Sequence, residues 1–275
     1  VVLAVSETRA PGWIATGRLV LTVLGLVLLT LALLPLQLVA IRLRWPLARR
    51  LPHVWHLVAS RISGIRVRVR GAPATGRPLL LVSNHQSWAD IVALGAAMPL
   101  SFIAKEEVRS WPAFGWLARL QRTVFVARER RGETGRQTDT IGERLASGDV
   151  MVLFAEGTTS DGNGVLPFRT ALFGAAQASL RASGRAEVTV QPVAVAWTRI
   201  HGMPMGLFHR PLAAWPGDVP LVPHLPDFMR EAAFDAEVVF GEPLGFTAGT
   251  DRKALARLSE RRVRELLVGA LRDPL

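Results

Sequence analysis

Between Leu19 and Ile41 the chain reads LVLTVLGLVLLTLALLPLQLVAI, without one ionisable side chain. As a helix, at ~1.5 Å per residue, this stretch is roughly 34 Å long, about the thickness of a bilayer's hydrocarbon core. A secretory leader has a shorter apolar core and a cleavage site after small residues, whereas this run ends in Arg42-Leu43-Arg44. It is read as an anchor. Pro35 and Gln37 leave a kinked or re-entrant path open beside a simple crossing. Arginines at 42, 44, 49 and 50 follow the run, while Arg9, Arg18 and Glu7 precede it. The positive-inside bias then places the rest of the chain in the cytoplasm, against the inner membrane.

Composition narrows the partners. The chain has 33 Lys and Arg against 22 Asp and Glu, a net charge of +11, yet 49% of it is hydrophobic. A basic, apolar chain suits an anionic surface, and the apolar run favours membrane over nucleic acid. Only Lys105 and Lys253 are lysines, so nearly all the positive charge is guanidinium, shaped for carboxylate or phosphate. With no cysteine, disulfide scaffolds, thiol nucleophiles and thiolate metal sites are excluded. From Pro46 to Ile62 apolar residues recur at helical spacing opposite Arg49, Arg50 and Arg61, predicting a helix that lies on lipid or packs on a domain. His53 and His56 share a face of it, but no third ligand is near, so no metal is expected.

Residues 1–63 are therefore read as anchor and interfacial helix, and 64–275 as the catalytic domain. In the latter, apolar runs at Ile65–Arg70, Leu79–Ser83, Phe102–Ala104, Thr123–Val126, Val150–Phe154 and Val188–Trp197 alternate with helical stretches. This predicts an α/β fold with a central mixed, partly parallel sheet flanked by helices, with ligands at strand ends. After Arg199 only a strand at Glu237–Phe240 and a basic helix at Arg252–Leu271 are legible.

Two of these strands end in reactive chemistry. After Leu79–Ser83 comes Asn84-His85-Gln86-Ser87-Trp88-Ala89-Asp90. His85 in the turn and Asp90 in the first helical turn can meet, the carboxylate fixing the imidazole tautomer so that the other nitrogen takes a hydroxyl proton. Asp90 as a mere helix cap is the competing reading. After Val150–Phe154 comes Ala155-Glu156-Gly157-Thr158-Thr159-Ser160-Asp161. Gly157 allows a close turn, Thr158 can donate, and Glu156 can hold a hydroxyl or an arginine. No phosphate-loop or dinucleotide fingerprint is present.

Four blocks, Asn84-His85 through Asp90, Phe125-Val126-Ala127-Arg128, Phe154-Ala155-Glu156-Gly157-Thr158 and Val190-Gln191-Pro192-Val193, resemble in order those of the glycerolipid acyltransferase family. The resemblance implies an enzyme that moves a fatty acyl group from a thioester of acyl carrier protein or coenzyme A to a lysolipid hydroxyl, without a cofactor. It implies His85 as general base, Asp90 as its orienting partner, and Arg128 as the acceptor's anchor, with Glu156, Gly157 and Thr158 at the substrate. Lys105, at another strand end, either adds charge for a substrate anion or starts a solvated helix. Thr159 stands where lysophosphatidate enzymes usually carry arginine, which lowers the demand for a phosphate on the acceptor. The stretch Glu156–Asn163 looks like that of the branch acylating lyso-ornithine lipid, with Asp161 facing the ornithine ammonium. A lysophosphatidate acyltransferase, or a non-catalytic adaptor that binds anionic lipid, are the rival readings.

Overall fold

The computed structural model describes residues 12–126, 131–217, 219–231 and 233–275. Helix α1 (Gly12–Arg42) runs unbroken through Pro35 and turns at Trp45-Pro46 into α2 (Leu47–Ile62). Its protein-facing stripe is mostly small or polar, with Thr22, Gly25, Thr30, Gln37 and Ala40, and Leu33 joins Ala40 against Ala48 and Leu51. The Trp55 indole N–H donates to Thr30 Oγ1 at 2.9 Å, and Gln37 Nε2 donates to the carbonyl oxygens of Leu120 at 2.6 Å and Ala48 at 3.2 Å. Leu21, Leu24, Leu28, Leu31 and Leu38 point outwards and are exposed. This polarity is the reverse of a water-facing amphipathic helix and suits lipid outside, protein inside.

Helix α2 packs in turn on α3 (Ala89–Ala97). Gly95 permits the contact: a Cβ there would lie 2.3 Å from His56 Cδ2. His53 Nδ1 bonds the Gly95 carbonyl oxygen at 2.7 Å, and burial pushes the His56 imidazole down to about 4, so it packs as a neutral ring. A charged clasp fastens the start of α2. Asp149, buried, faces Arg49 of α2 at 2.8 Å, Arg122 at 3.1 Å and Arg144 at 2.7 Å.

The remaining elements are β1 (Ile65–Arg70), β2 (Leu79–Ser83), β3 (Ser101–Lys105), α4 (Phe114–Leu120), β4 (Val124–Val126), α5 (Arg131–Ala146), β5 (Val150–Phe154), α6 (Gly174–Ser183), β6 (Val188–Ile200), β7 (Met203–Pro204), α7 (Leu221–Glu231), β8 (Phe234–Phe240), β9 (Leu244–Phe246) and α8 (Arg252–Arg272). The sheet order is β1-β8-β6-β2-β5-β3-β4, with β7 and β9 also paired to β6. Strands β6, β2, β5, β3 and β4 are parallel, whereas β8 is antiparallel to β6 and β1 follows β8. The sheet is mixed, as expected from the alternation of strands and helices.

Alternate residues of the central strands feed two cores. Leu79, Leu81, Val152 and Phe154 pack with α3 and with Phe228 of α7, while Leu80, Val82, Met151 and Leu153 pack with α5, α6 and α8. Strand β2 thus exits to a helix on one face, and its neighbour β5 exits towards α6 on the other. Adjacent parallel strands with diverging exits open a crevice at their carboxyl ends. Helix α7 and the short β7 and β9 lie in the Gly- and Pro-rich region, where Pro223 and Pro226 mask the helical pattern.

Candidate active site

His85 and Glu156 both stand at that crevice, immediately beyond the ends of β2 and β5. Backbone pairing between β2 and β6 ends at Ser83 and Val193, and the Asn84 amide continues it. Asn84 Oδ1 accepts the Val195 N–H at 2.8 Å, and Nδ2 donates to the Val195 carbonyl at 3.0 Å. On the other side, Glu156 Oε1 accepts the His85 N–H at 2.8 Å, and Oε2 accepts the Leu166 N–H at 3.0 Å. Two polar side chains therefore substitute for strand hydrogen bonds and hold the His85 backbone from both neighbours.

Asp90 lies in the first turn of α3 and is fully buried. Its Oδ2 accepts the backbone N–H groups of Gln86 at 2.7 Å and Ser87 at 2.8 Å, and meets His85 Nδ1 at 2.9 Å. With two N–H donors already on Oδ2, the third contact is an N–H as well, so Nδ1 carries the hydrogen and Nε2 keeps its lone pair. The imidazole stacks on Phe154, ring centres 3.8 Å apart, and Phe154 stacks on Phe102 at 5.8 Å. The His85 side chain keeps 16% exposure. The result is a fixed imidazole whose Nε2 has no hydrogen-bond partner among the described residues.

Sequence reasoning missed Trp197. Its indole N–H donates to Asp90 Oδ1 at 2.9 Å from the far end of β6, and its ring packs against Phe228 and Phe234. Only pairing in the folded sheet brings it beneath Asp90; no local spacing announces it. Trp197→Phe keeps most of the packing and removes one hydrogen bond to a buried carboxylate, about 1.5–3 kcal/mol. Because the bond aims Asp90 rather than touching substrate, steady-state kinetics should show kcat down by about tenfold with KM little changed, and thermal melts should show the lost bond as lower stability. Trp88→Phe, which breaks only the indole bond to His224 Nδ1 at 3.1 Å, should leave kcat within about threefold.

Glu156 is buried, and its carboxyl is pushed up to about 8 by desolvation, the two backbone N–H donors opposing this and the charges of Asp90 and Glu260 adding to it. It acts here as a brace under His85. The unfolded chain loses this proton near the usual carboxylate value, while the folded chain keeps it to about 8. The Glu156 contribution to stability is therefore full below the unfolded value and is lost as pH rises towards about 8. Urea titrations between pH ~5 and ~8 should show this decline, and Glu156→Gln should flatten it.

Gly157 adopts a left-handed turn, φ +74°, and is buried, and Thr158 is half-buried beside Gly217. Asp161 is exposed and accepts both the backbone and side-chain N–H of Asn163, each at 3.0 Å. Lys105 is exposed at the carboxyl end of β3. Arg128 lies outside the described residues.

The acyltransferase family profile matches residues 65–196, the span holding the Asn84–Asp90 and Glu156–Thr158 blocks. Over 258 residues, 94% of this chain and 97% of the relative, the sequence is 59% identical to the lyso-ornithine lipid O-acyltransferase of Brucella abortus (strain 2308). The chain belongs to the acyltransferase family. A second member, the lyso-ornithine lipid O-acyltransferase of Rhizobium meliloti (strain 1021), is 49% identical over 93% of this chain and 87% of its own. The crystal structure of the 1-acyl-sn-glycerophosphate acyltransferase from Thermotoga maritima superimposes with TM-score 0.60, covering 93% of this chain and 97% of that one at 22% identity. That likeness extends the family's fold to α1 and the mixed sheet. The enzyme is thus an acyltransferase, with His85 and Asp90 at the crevice of its family domain.

Proposed function

We propose that this acyltransferase converts lyso-ornithine lipid to ornithine lipid, with acyl carrier protein or coenzyme A as the thioester carrier. The carrying observation is the His85–Asp90 pair, braced at the sheet edge, in a chain nearly 60% identical over its length to an enzyme of that name. His85 Nε2 takes the proton of the acceptor hydroxyl as its oxygen attacks the thioester carbonyl. Asp90 stabilises the imidazolium that forms, and Trp197 holds Asp90 in place. When the tetrahedral intermediate collapses, the C–S bond breaks and His85 returns the proton to the departing thiolate. The ester and a free thiol leave, and no acyl-enzyme forms.

Asp161 and Lys105 are the charged groups proposed to meet the zwitterionic acceptor and the anionic donor, with Arg128 as the acceptor's further anchor and Gly157 and Thr158 lining the crevice. Thr159 at the position of the missing arginine is buried and its carbonyl holds Gly217 at 3.3 Å, which suits an acceptor without a phosphomonoester. Because α1 docks along its length on α2, which carries Arg49, Arg50 and Arg61, an upright crossing would drag those charges into hydrocarbon. The reading is of α1 lying in the cytoplasmic leaflet of the inner membrane. The test is purified protein in mixed micelles with acyl carrier protein or coenzyme A thioester and either lyso-ornithine lipid or lysophosphatidate. Labelled ornithine lipid is the expected product. Turnover of lysophosphatidate alone would reassign the acceptor.

A further inference from the structure

After β6 the chain reverses through His201-Gly202 into β7 and a short loop whose tip presents Met203, Leu207 and Phe208, respectively 64%, 68% and 56% exposed. Three large apolar side chains on one short loop have no role in the core: the loop is already anchored there by Met205, which is buried and whose N–H donates to the Thr198 carbonyl at 2.7 Å. The loop lies on the same side of the sheet as α7, since Met205 and Ala213 share one core with Phe228. Helix α7 touches α1, where Arg18 Nη1 donates to the Arg230 carbonyl at 3.3 Å, and itself exposes Val222 at 79%. The exposed leucines of α1, Val222 of α7 and the loop tip thus belong to elements stacked on the same face of the sheet.

The stem of this loop runs directly into the site. Arg210 Nη1 donates to Asn163 Oδ1 at 2.7 Å, the Trp215 N–H donates to the Gln86 carbonyl at 2.6 Å, and the Gly217 N–H donates to the Thr159 carbonyl at 3.3 Å. One segment therefore has an apolar tip on the α1 side and a base bonded to both loops that carry His85 and Glu156.

We propose that Met203–Phe208 is a second membrane-insertion point, distinct from α1, that seats the crevice on the leaflet. An acceptor can then keep its chain in the lipid while its hydroxyl reaches His85. This rests on the reading of α1 as the in-plane anchor, and the occupant is the bilayer itself. Tyr, Trp and Phe rings at such depths sit at the boundary between headgroups and chains, which suits Phe208 at the tip.

The absence of native cysteine makes the test direct. Single variants Phe208→Cys, Leu28→Cys on the outer face of α1, and Arg185→Cys on the exposed α6–β6 loop are each labelled with an environment-sensitive fluorophore. The full chain is reconstituted into phosphatidylcholine bilayers carrying a chain-nitroxide lipid. Labels at 208 and 28 should both be quenched, and that at 185 should not. Quenching at 28 alone overturns the proposal and leaves the anchor standing; quenching at neither removes both. In parallel, Leu207→Asp with Phe208→Asp should lower turnover of bilayer-borne acceptor by about tenfold or more, because two carboxylates resist insertion. Turnover of micelle-dispersed acceptor should stay within about twofold. Equal losses in both media would count against insertion.

Discussion

Replacing His85 with Ala should lower kcat by about three orders of magnitude, because general-base assistance is worth about 10²–10⁴ and Asp90 engages Nδ1, leaving Nε2 for the hydroxyl. Asp90→Asn should act as strongly by another route. An amide in place of the carboxylate can turn its NH₂ towards His85 Nδ1, moving the ring hydrogen to Nε2 and leaving no base at the hydroxyl. The same amide would face the backbone N–H groups of Gln86 and Ser87, which now donate to Oδ2, so this variant should also be less stable. Radiolabelled acyl transfer under single-turnover conditions separates the two, with thermal melts as control. If His85→Ala retained more than a tenth of the wild-type rate, the catalytic role would be refuted and a lipid-binding adaptor would become the better reading.

Asp149→Ala should be strongly destabilising although it lies away from the site. The carboxylate is buried among Arg49, Arg122 and Arg144, Arg144 also donates to the Arg122 carbonyl oxygen, and Arg144 Nη2 reaches Ser101 Oγ at 3.0 Å. Burial already holds the Arg144 guanidinium below its usual range, with Asp149 the chief opposing influence. Breaking a fully buried ion pair from one side costs about 3–5 kcal/mol, and the partial exposure of Arg49 and Arg122 lowers the expectation to about 3 kcal/mol. Denaturant midpoints in mild detergent would measure it. Since Arg49 belongs to α2, proteolysis between Arg42 and Arg50 should accelerate in the same variant. Asp149→Glu should recover little, because a longer acid cannot satisfy three guanidinium groups at the same distances.

Much of this was legible along the chain because the determinants are local. Ile65–Arg70, Leu79–Ser83 and Val150–Phe154 begin and end where alternation and turn residues place them, since the first alternates apolar with arginine and the other two are short apolar runs, each bounded within a few residues. The His85–Asp90 contact was legible for the same reason: a turn followed at once by a helix brings positions five apart together. Glu156 was found, but its role was not. A carboxylate after a strand reads as a ligand group, and only the register of β2 against β5 puts the His85 N–H on it. Trp197 was illegible because its partner is far away in sequence and adjacent only once β6 pairs β2. Helix α7 was hidden by its prolines, although Pro223 sits near its start, where a missing N–H is tolerated.

The inward stripe of α1 means that the leading helix cannot simply be trimmed away to leave a water-soluble enzyme. Removing it would uncover Ala48, Leu51 and Ile62, strip the Trp55 indole of its acceptor and leave the Leu120 carbonyl without the Gln37 amide. Truncation would exchange one greasy surface for another studded with orphaned polar groups. The helix is as much a lid on the folded body as a tether to lipid, so deleting it should yield aggregates whether or not a bilayer is present.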